Sequence, residues 1–259
     1  MNKFISYLIL ILVFVTTACN KPAGNIFTAH SHNDYHQQRP FYLAHEQFCA
    51  SIEADIWYMD DQLFVAHDFE EINKERTLEA LYFEPIASVF EQNGGRAWKD
   101  HDQRLILLID LKTGYDSTMT ALLEALEPYK HLFDPAMNQH AVKIVISGNM
   151  PDPDLFDNYP TFISFDGRME NRYTKKQLER IALFSNSIGD YVSRDFKGQL
   201  SKEDRSKLSD YIKTAHSLNK KVRFWGIPDD PAVWKQLKKM GVDLINTDTP
   251  AEYMQTMSK

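Results

Sequence analysis

Eight short apolar or β-branched runs, separated by helix-like stretches, constrain this 259-residue chain more than any other feature. The runs are Ile26–His30, Ser51–Trp57, Arg104–Leu111, Val142–Ser147, Thr161–Phe165, Ala182–Asn186, Lys221–Trp225 and Asp243–Asn246. Such runs suit strands buried on both faces of a parallel sheet. Helical patterning fills Phe41–Phe48, Leu78–Gln92, Ser117–Glu127, Lys175–Leu183, Lys202–Leu218 and Pro231–Lys239. Thr174 and Ser201 open helices as capping residues, and Gly241 closes one. Strand and helix repeated about eight times predict the α/β class, as a single-domain (β/α)8 TIM barrel. The pattern has two irregularities. MDDQLFVAHD after the second strand reads as a hairpin, and the fourth repeat offers only a weak helix at Pro153–Asn158. An open, doubly wound sheet is the fallback, but no glycine-rich phosphate fingerprint follows the first strand.

The N-terminus reads as an export signal. A basic start, MNK, precedes the apolar run FISYLILILVFV, too short to span a bilayer comfortably. The run ends in VTTAC, which resembles the lipobox of bacterial lipoproteins. The reading is a signal peptide over 1–18, a lipidated Cys19, a tether over 19–25 and a barrel domain over 26–259. It places the protein in the bacterial cell envelope, exported and held at the membrane by a lipid anchor. Formal charge is −7, and loss of Lys3 with the signal leaves −7 − 1 = −8, which argues against a nucleic-acid partner. Cys49 is then without a disulfide partner and reads as a small core residue.

Barrel enzymes place their chemistry where strands end at the C-terminal rim. The first strand ends His30-Ser31-His32-Asn33-Asp34. On the second, Glu53 and Asp55 are two apart and so share a face. Two converging carboxylates need neutralising, either by a hard divalent cation or by Arg or Lys. LFVAHD delivers His67 at a run's end. RLILLIDLKT buries Asp110 with Lys112 two residues on, as a further carboxylate or as an internal ion pair. Arg223, Trp225 and Asp248 end the last strands; Trp225 reads equally as core or pocket wall, and Asp248 equally as a turn residue.

Together these segments resemble the glycerophosphodiester phosphodiesterase-like, phospholipase-C-like TIM-barrel phosphodiesterases, in a branch opening with HNDY. The resemblance rests on His32, the E-x-D pair, His67 in AHD, IDLK and GVDLINTDTP, and spans about Ala29 to Pro250. It implies a metal-dependent hydrolase of a small phosphodiester, a glycerophosphodiester or phospholipid head group. His32 and His67 would be the acid–base pair and Glu53, Asp55 and Asp110 the ligands of Mg2+ or Ca2+. Lys112 would be a phosphate contact, and His30, Asn33, Asp34, Arg223, Trp225 and Asp248 would line the substrate site. Better-known members carry Arg-Gly where Asn33-Asp34 stand, so their substrate preference does not transfer. Two other readings compete: a non-catalytic lipoprotein that binds a phosphorylated ligand, and an amidohydrolase-like enzyme using His30 and His32 as metal ligands.

Overall fold

The computed structural model describes residues 27–193 and 198–258. Nine strands lie within them: β1 (Ala29–Ser31), β2 (Ser51–Met59), β3 (Gln62–Val65), β4 (Ile106–Leu111), β5 (Lys143–Gly148), β6 (Ile163–Gly167), β7 (Ile181–Ser187), β8 (Lys221–Trp225) and β9 (Leu244–Thr247). Eight are parallel neighbours in the order β1-β2-β4-β5-β6-β7-β8-β9, and β9 returns to β1 to close the barrel. β3 folds back antiparallel on β2 as the expected hairpin. Around the barrel run α1 (Tyr42–Glu46), α2 (Glu84–Gln92), α3 (Tyr115–Leu126), α4 (Lys130–Phe133), α5 (Lys175–Arg180), α6 (Lys202–Ser217), α7 (Pro231–Met240) and α8 (Pro250–Met257).

The helix ends follow the chemistry of their sequences. Thr174 and Ser201 each form a reciprocal capping box, with Gln177 and Asp204. α7 begins on Asp230, whose carboxylate accepts from Ala232 and Val233 N–H, and stops at Gly241 with φ of 101°. The helix expected over Leu78–Gln92 divides instead. A π-helical turn, Glu79–Phe83, precedes α2, and Pro85, lacking an N–H, stands at the junction. The fourth repeat carries only a 3-10 helix, Pro153–Asn158.

Register builds the site. Glu53 pairs opposite Leu108, Asp55 opposite Asp110, and Asp110 opposite Ser147, so three polar side chains form one row across β2, β4 and β5. The intervening residues Ile52, Ala54, Ile56, Leu107 and Ile109 are fully buried or nearly so and point the opposite way, toward the helices. Each such Ile or Leu contributes roughly 1.5–3 kcal/mol by leaving water. Cys49 is buried in this core, as expected.

Candidate active site

A buried polar layer lies inside the barrel below the rim. His30 is wholly buried, with Nδ1 2.9 Å from Ser51 Oγ and Nε2 2.6 Å from Glu53 Oε2. The same carboxylate oxygen accepts from Arg223 Nη2 at 2.7 Å, and Arg223 Nε donates to Asn246 Oδ1 at 3.0 Å. Burial, then the charge of Arg223, lowers the His30 pKa to about 3. Burial opposes ionisation of Glu53, but Arg223 and His30 outweigh it and hold the carboxyl well below its ordinary range. His30 is therefore a neutral orienting group rather than the expected substrate contact, because both ring nitrogens are spent within the barrel. That also removes the amidohydrolase-like clasp, since His32 turns to a different partner.

Above this layer, Asp55 is the hub. Its Oδ2 receives Lys112 Nζ at 2.8 Å, His67 Nδ1 at 3.1 Å and the Tyr35 hydroxyl at 2.9 Å. Lys112 Nζ also reaches Asp110 Oδ1 at 3.0 Å. Burial disfavours the Lys112 ammonium, but Asp110 and Asp55 outweigh it and raise its pKa. Burial pushes Asp110 up to about 6; the attraction of Lys112 offsets part of this, and the charges of Asp55 and Glu53 add to it. Gly148, at φ of 70°, backs this pair: a Cβ there would lie 2.5 Å from Asp110 Oδ1 and 2.6 Å from the Leu111 carbonyl oxygen. The β2–β3 hairpin explains His67, because Val65 pairs opposite Ile56 and returns the chain beside Asp55.

The HNDY segment resolves into separate jobs. Asp34 is fully buried and accepts from Ser31 Oγ at 2.8 Å, Phe41 N–H at 2.6 Å and the Tyr82 hydroxyl at 3.2 Å. It braces the loop instead of meeting substrate, which corrects the expectation for it; burial raises its pKa to about 6. Tyr35 carries one proton to share between Asn33 Oδ1 and Asp55 Oδ2, both 2.9 Å away, and the carboxylate is the stronger acceptor. Asn33 lines the pocket in a left-handed conformation, with φ of 44°.

His32 donates from Nδ1 to Asp248 Oδ1 at 2.7 Å. Burial lowers its pKa, but the Asp248 hydrogen bond and the Glu53 charge prevail and raise it. Asp248 thus orients His32 and does not itself line the pocket. The pocket, of about 260 Å³, is bordered by His32, Asn33, Glu53, Asp55, His67, Asp110, Lys112, Arg223 and Trp225, all anticipated from sequence. It also has two unanticipated members, Ser147 and Arg168. Arg168 Nη1 pairs with buried Asp166 at 2.8 Å, and its guanidinium lies 5.0 Å from the Trp225 ring centre. Asp166-Gly167-Arg168 repeats the acid-x-base spacing of Asp110-Leu111-Lys112, a sequence signal for this missed wall.

The three carboxylates expected to hold a cation each engage their neighbours through one oxygen only. Glu53 Oε1 and Asp110 Oδ2 accept nothing among the described residues, and Asp55 Oδ1 is buried without a partner. Hard oxygens of this kind suit Mg2+ or Ca2+. Their other oxygens already meet Arg223 and Lys112, and no group of three or more His, Cys, Asp or Glu among the described residues is gathered to hold an ion. The donor set fits a hard cation in kind, without a closed shell.

Residues 24–161 match the model of the AIM6-like phosphodiesterase domain, and residues 221–251 that of the glycerophosphoryl diester phosphodiesterase family. The chain is 28% identical over 252 residues to "Altered inheritance of mitochondria protein 6 homolog" of Arthroderma benhamiae, covering 85% of this chain and 80% of that protein. It is 28% identical over 261 residues to "Altered inheritance of mitochondria protein 6" of Eremothecium gossypii, covering 85% of this chain and 66% of that one. Its fold is similar to the crystal structure of a glycerophosphodiester phosphodiesterase from Parabacteroides distasonis, with a TM-score of 0.54 at 14% identity, covering 90% and 97% of the two chains. These relatives overturn one expectation. The two relatives found by sequence are fungal, not bacterial envelope lipoproteins, so the reading as an exported, lipid-anchored envelope protein is withdrawn. Cys19, the signal peptide and the tether lie outside the described residues.

Proposed function

The chain belongs to the family of the AIM6-like phosphodiesterase domain, and from that premise we propose that it hydrolyses a glycerophosphodiester or a phospholipid head-group-like phosphodiester by acid–base catalysis. The observation that carries this reading is a pair of histidines at one pocket, each bound through Nδ1 to a carboxylate. Among the described residues neither Nε2 has a partner, so both are left for chemistry. A carboxylate only accepts, so it fixes the proton on Nδ1 and leaves Nε2 as the reactive nitrogen.

In this scheme His67 Nε2 takes the proton of the attacking hydroxyl, from water or from the substrate itself, as its oxygen bonds to phosphorus. The bond from phosphorus to the ester oxygen breaks, and His32 Nε2 gives its proton to the departing alkoxide. The raised pKa of His32 suits the acid, since it stays protonated further toward neutral pH. Lys112 stays cationic and offers its ammonium to the phosphoryl oxygens. Glu53, Asp55 and Asp110 would hold Mg2+ or Ca2+, which when bound neutralises phosphoryl charge and helps orient the group.

The test is incubation of the purified protein with a panel of glycerophosphodiesters, with added Mg2+ or Ca2+ and with EDTA. Appearance of a free alcohol and a phosphomonoester or cyclic phosphate supports the proposal. A folded protein inert toward the whole panel under every cation condition overturns it.

A further inference from the structure

Resting on that reading, we infer that Arg168 and Trp225 form a subsite for an oxyanion on the substrate's alcohol portion, so that phosphodiesters of anionic alcohols are preferred and quaternary-ammonium head groups are disfavoured. β6, which carries Arg168 just past its end, lies four strands around the ring from β1, which carries His32. In an eight-strand barrel that is the opposite side. A phosphorus held between His32 and His67 would therefore direct its substituent across the mouth toward Arg168.

The guanidinium is held ready. Nη1 is used by Asp166 Oδ2 at 2.8 Å and by the Gly167 carbonyl at 3.1 Å, and Nη2 donates once, to Ser147 Oγ at 3.3 Å. Ser147 in turn donates to Asp166 Oδ2 at 3.0 Å. Nε has no partner among the described residues, so the edge made by Nε and the second Nη2 hydrogen is open. That edge matches the two oxygens of a carboxylate or phosphate. Gly167 holds the neighbouring backbone close, since a Cβ there would come within 2.6 Å of the Phe184 ring.

The other cations bordering the pocket are already committed. Arg223 is buried against Glu53 and Asn246, and Lys112, which bridges Asp55 and Asp110, has its remaining N–H for the phosphoryl group in the proposed scheme and not for the alcohol portion. Trp225 would ordinarily invite a quaternary ammonium onto its face. Here Arg168 already stacks there, 5.0 Å from the ring centre, and its like charge repels such a group.

Isothermal titration of the full chain with two isosteric probes tests this. sn-Glycerol 3-phosphate carries a hydroxymethyl group where 3-phosphoglycerate carries a carboxylate. A charge-assisted bidentate contact predicts about tenfold or more tighter binding of 3-phosphoglycerate. Arg168→Gln should erase that preference, read as the ratio of the two affinities within the variant. Should the glutamine variant fail to fold, Arg168→Lys keeps Asp166 paired, removes the open edge and should lose the same preference. Equal wild-type affinity for both probes, or a preference that survives in a folded variant, overturns the inference while the phosphodiesterase reading stands. Failure of the wild type to bind either probe also overturns the inference, while turnover of the glycerophosphodiester panel decides the phosphodiesterase reading separately.

Discussion

Replacing Arg223 by methionine tests the buried polar layer, because the outcome depends on His30. Arg223 is 3% exposed and supplies the cation for Glu53, which is 5% exposed. Breaking a buried pair by removing one partner costs about 3–5 kcal/mol, since the other charge is stranded. His30 can replace the lost cation. Burial and Arg223 hold its pKa at about 3 in the wild type, and its hydrogen bond to Glu53 pulls the other way. With Arg223 gone, burial and the smaller effect of the His32 charge oppose protonation, and the Glu53 carboxylate favours it. In the wild type, a histidine held neutral when folded and titrating near 6.5 when unfolded destabilises the native state as pH falls. At about pH 5.5 the cost is roughly RT ln(1 + 10), or about 1.4 kcal/mol, against almost nothing at about pH 7.5. Arg223→Met escapes that loss if His30 protonates beside Glu53. Its deficit should therefore narrow from about 3 kcal/mol at about pH 7.5 to under about 2 kcal/mol at about pH 5.5. Urea unfolding at the two pH values reads both deficits. The same deficit at both, or one below about 1 kcal/mol at the higher pH, would refute the reasoning.

Three further outcomes follow from the site. Asp248→Asn removes the carboxylate charge facing His32 and leaves only a neutral acceptor on Nδ1, so the alkaline limb of the pH–kcat/KM profile should move to lower pH; an unmoved limb would remove His32 as the acid. Asp34→Asn puts an amide NH2 among three donors, and should cost about 1–3 kcal/mol in unfolding while leaving KM unchanged. A large KM effect would return Asp34 to the substrate site. Mg2+ or Ca2+ at about a hundred times its Kd should stabilise the wild type by about 2.7 kcal/mol, read as a rise in Tm. Asp55→Asn should lose that rise, and a wild-type Tm indifferent to both cations counts against the carboxylates as ligands.

Sequence made the barrel legible because its strands are short apolar runs and its helix boundaries use strong local chemistry, as at Thr174, Ser201 and Gly241. Period-two alternation also identified Glu53, Asp55, Asp110 and Lys112, since it decides which way a strand residue points. It did not decide depth. His30 and His32 share a face, yet one lies a layer below the other, where Ser51 and Glu53 consume its ring. Asp34 was misread because its partners, Phe41 N–H and Tyr82, come from a loop and a distant helix that no local pattern specifies. Arg168 was missed because it follows its strand in a loop, and its role depends on Trp225 two strands away. The export reading came from an N-terminal run and one cysteine, neither of which the barrel constrains.

Leaving-group chemistry tests the His32–His67 pair most directly. Rates would be measured for wild type, His32→Ala and His67→Ala on a glycerophosphodiester and on bis(p-nitrophenyl) phosphate, with Tm confirming that each variant folds. An alkoxide needs a proton as it departs, whereas p-nitrophenolate leaves without one. His67→Ala should therefore lose about 10²–10⁴-fold on both substrates, and His32→Ala a similar factor on the glycerophosphodiester alone. Equal losses for the two variants on both substrates would contradict the assignment of acid and base. Full activity in either variant would remove that histidine from the reaction.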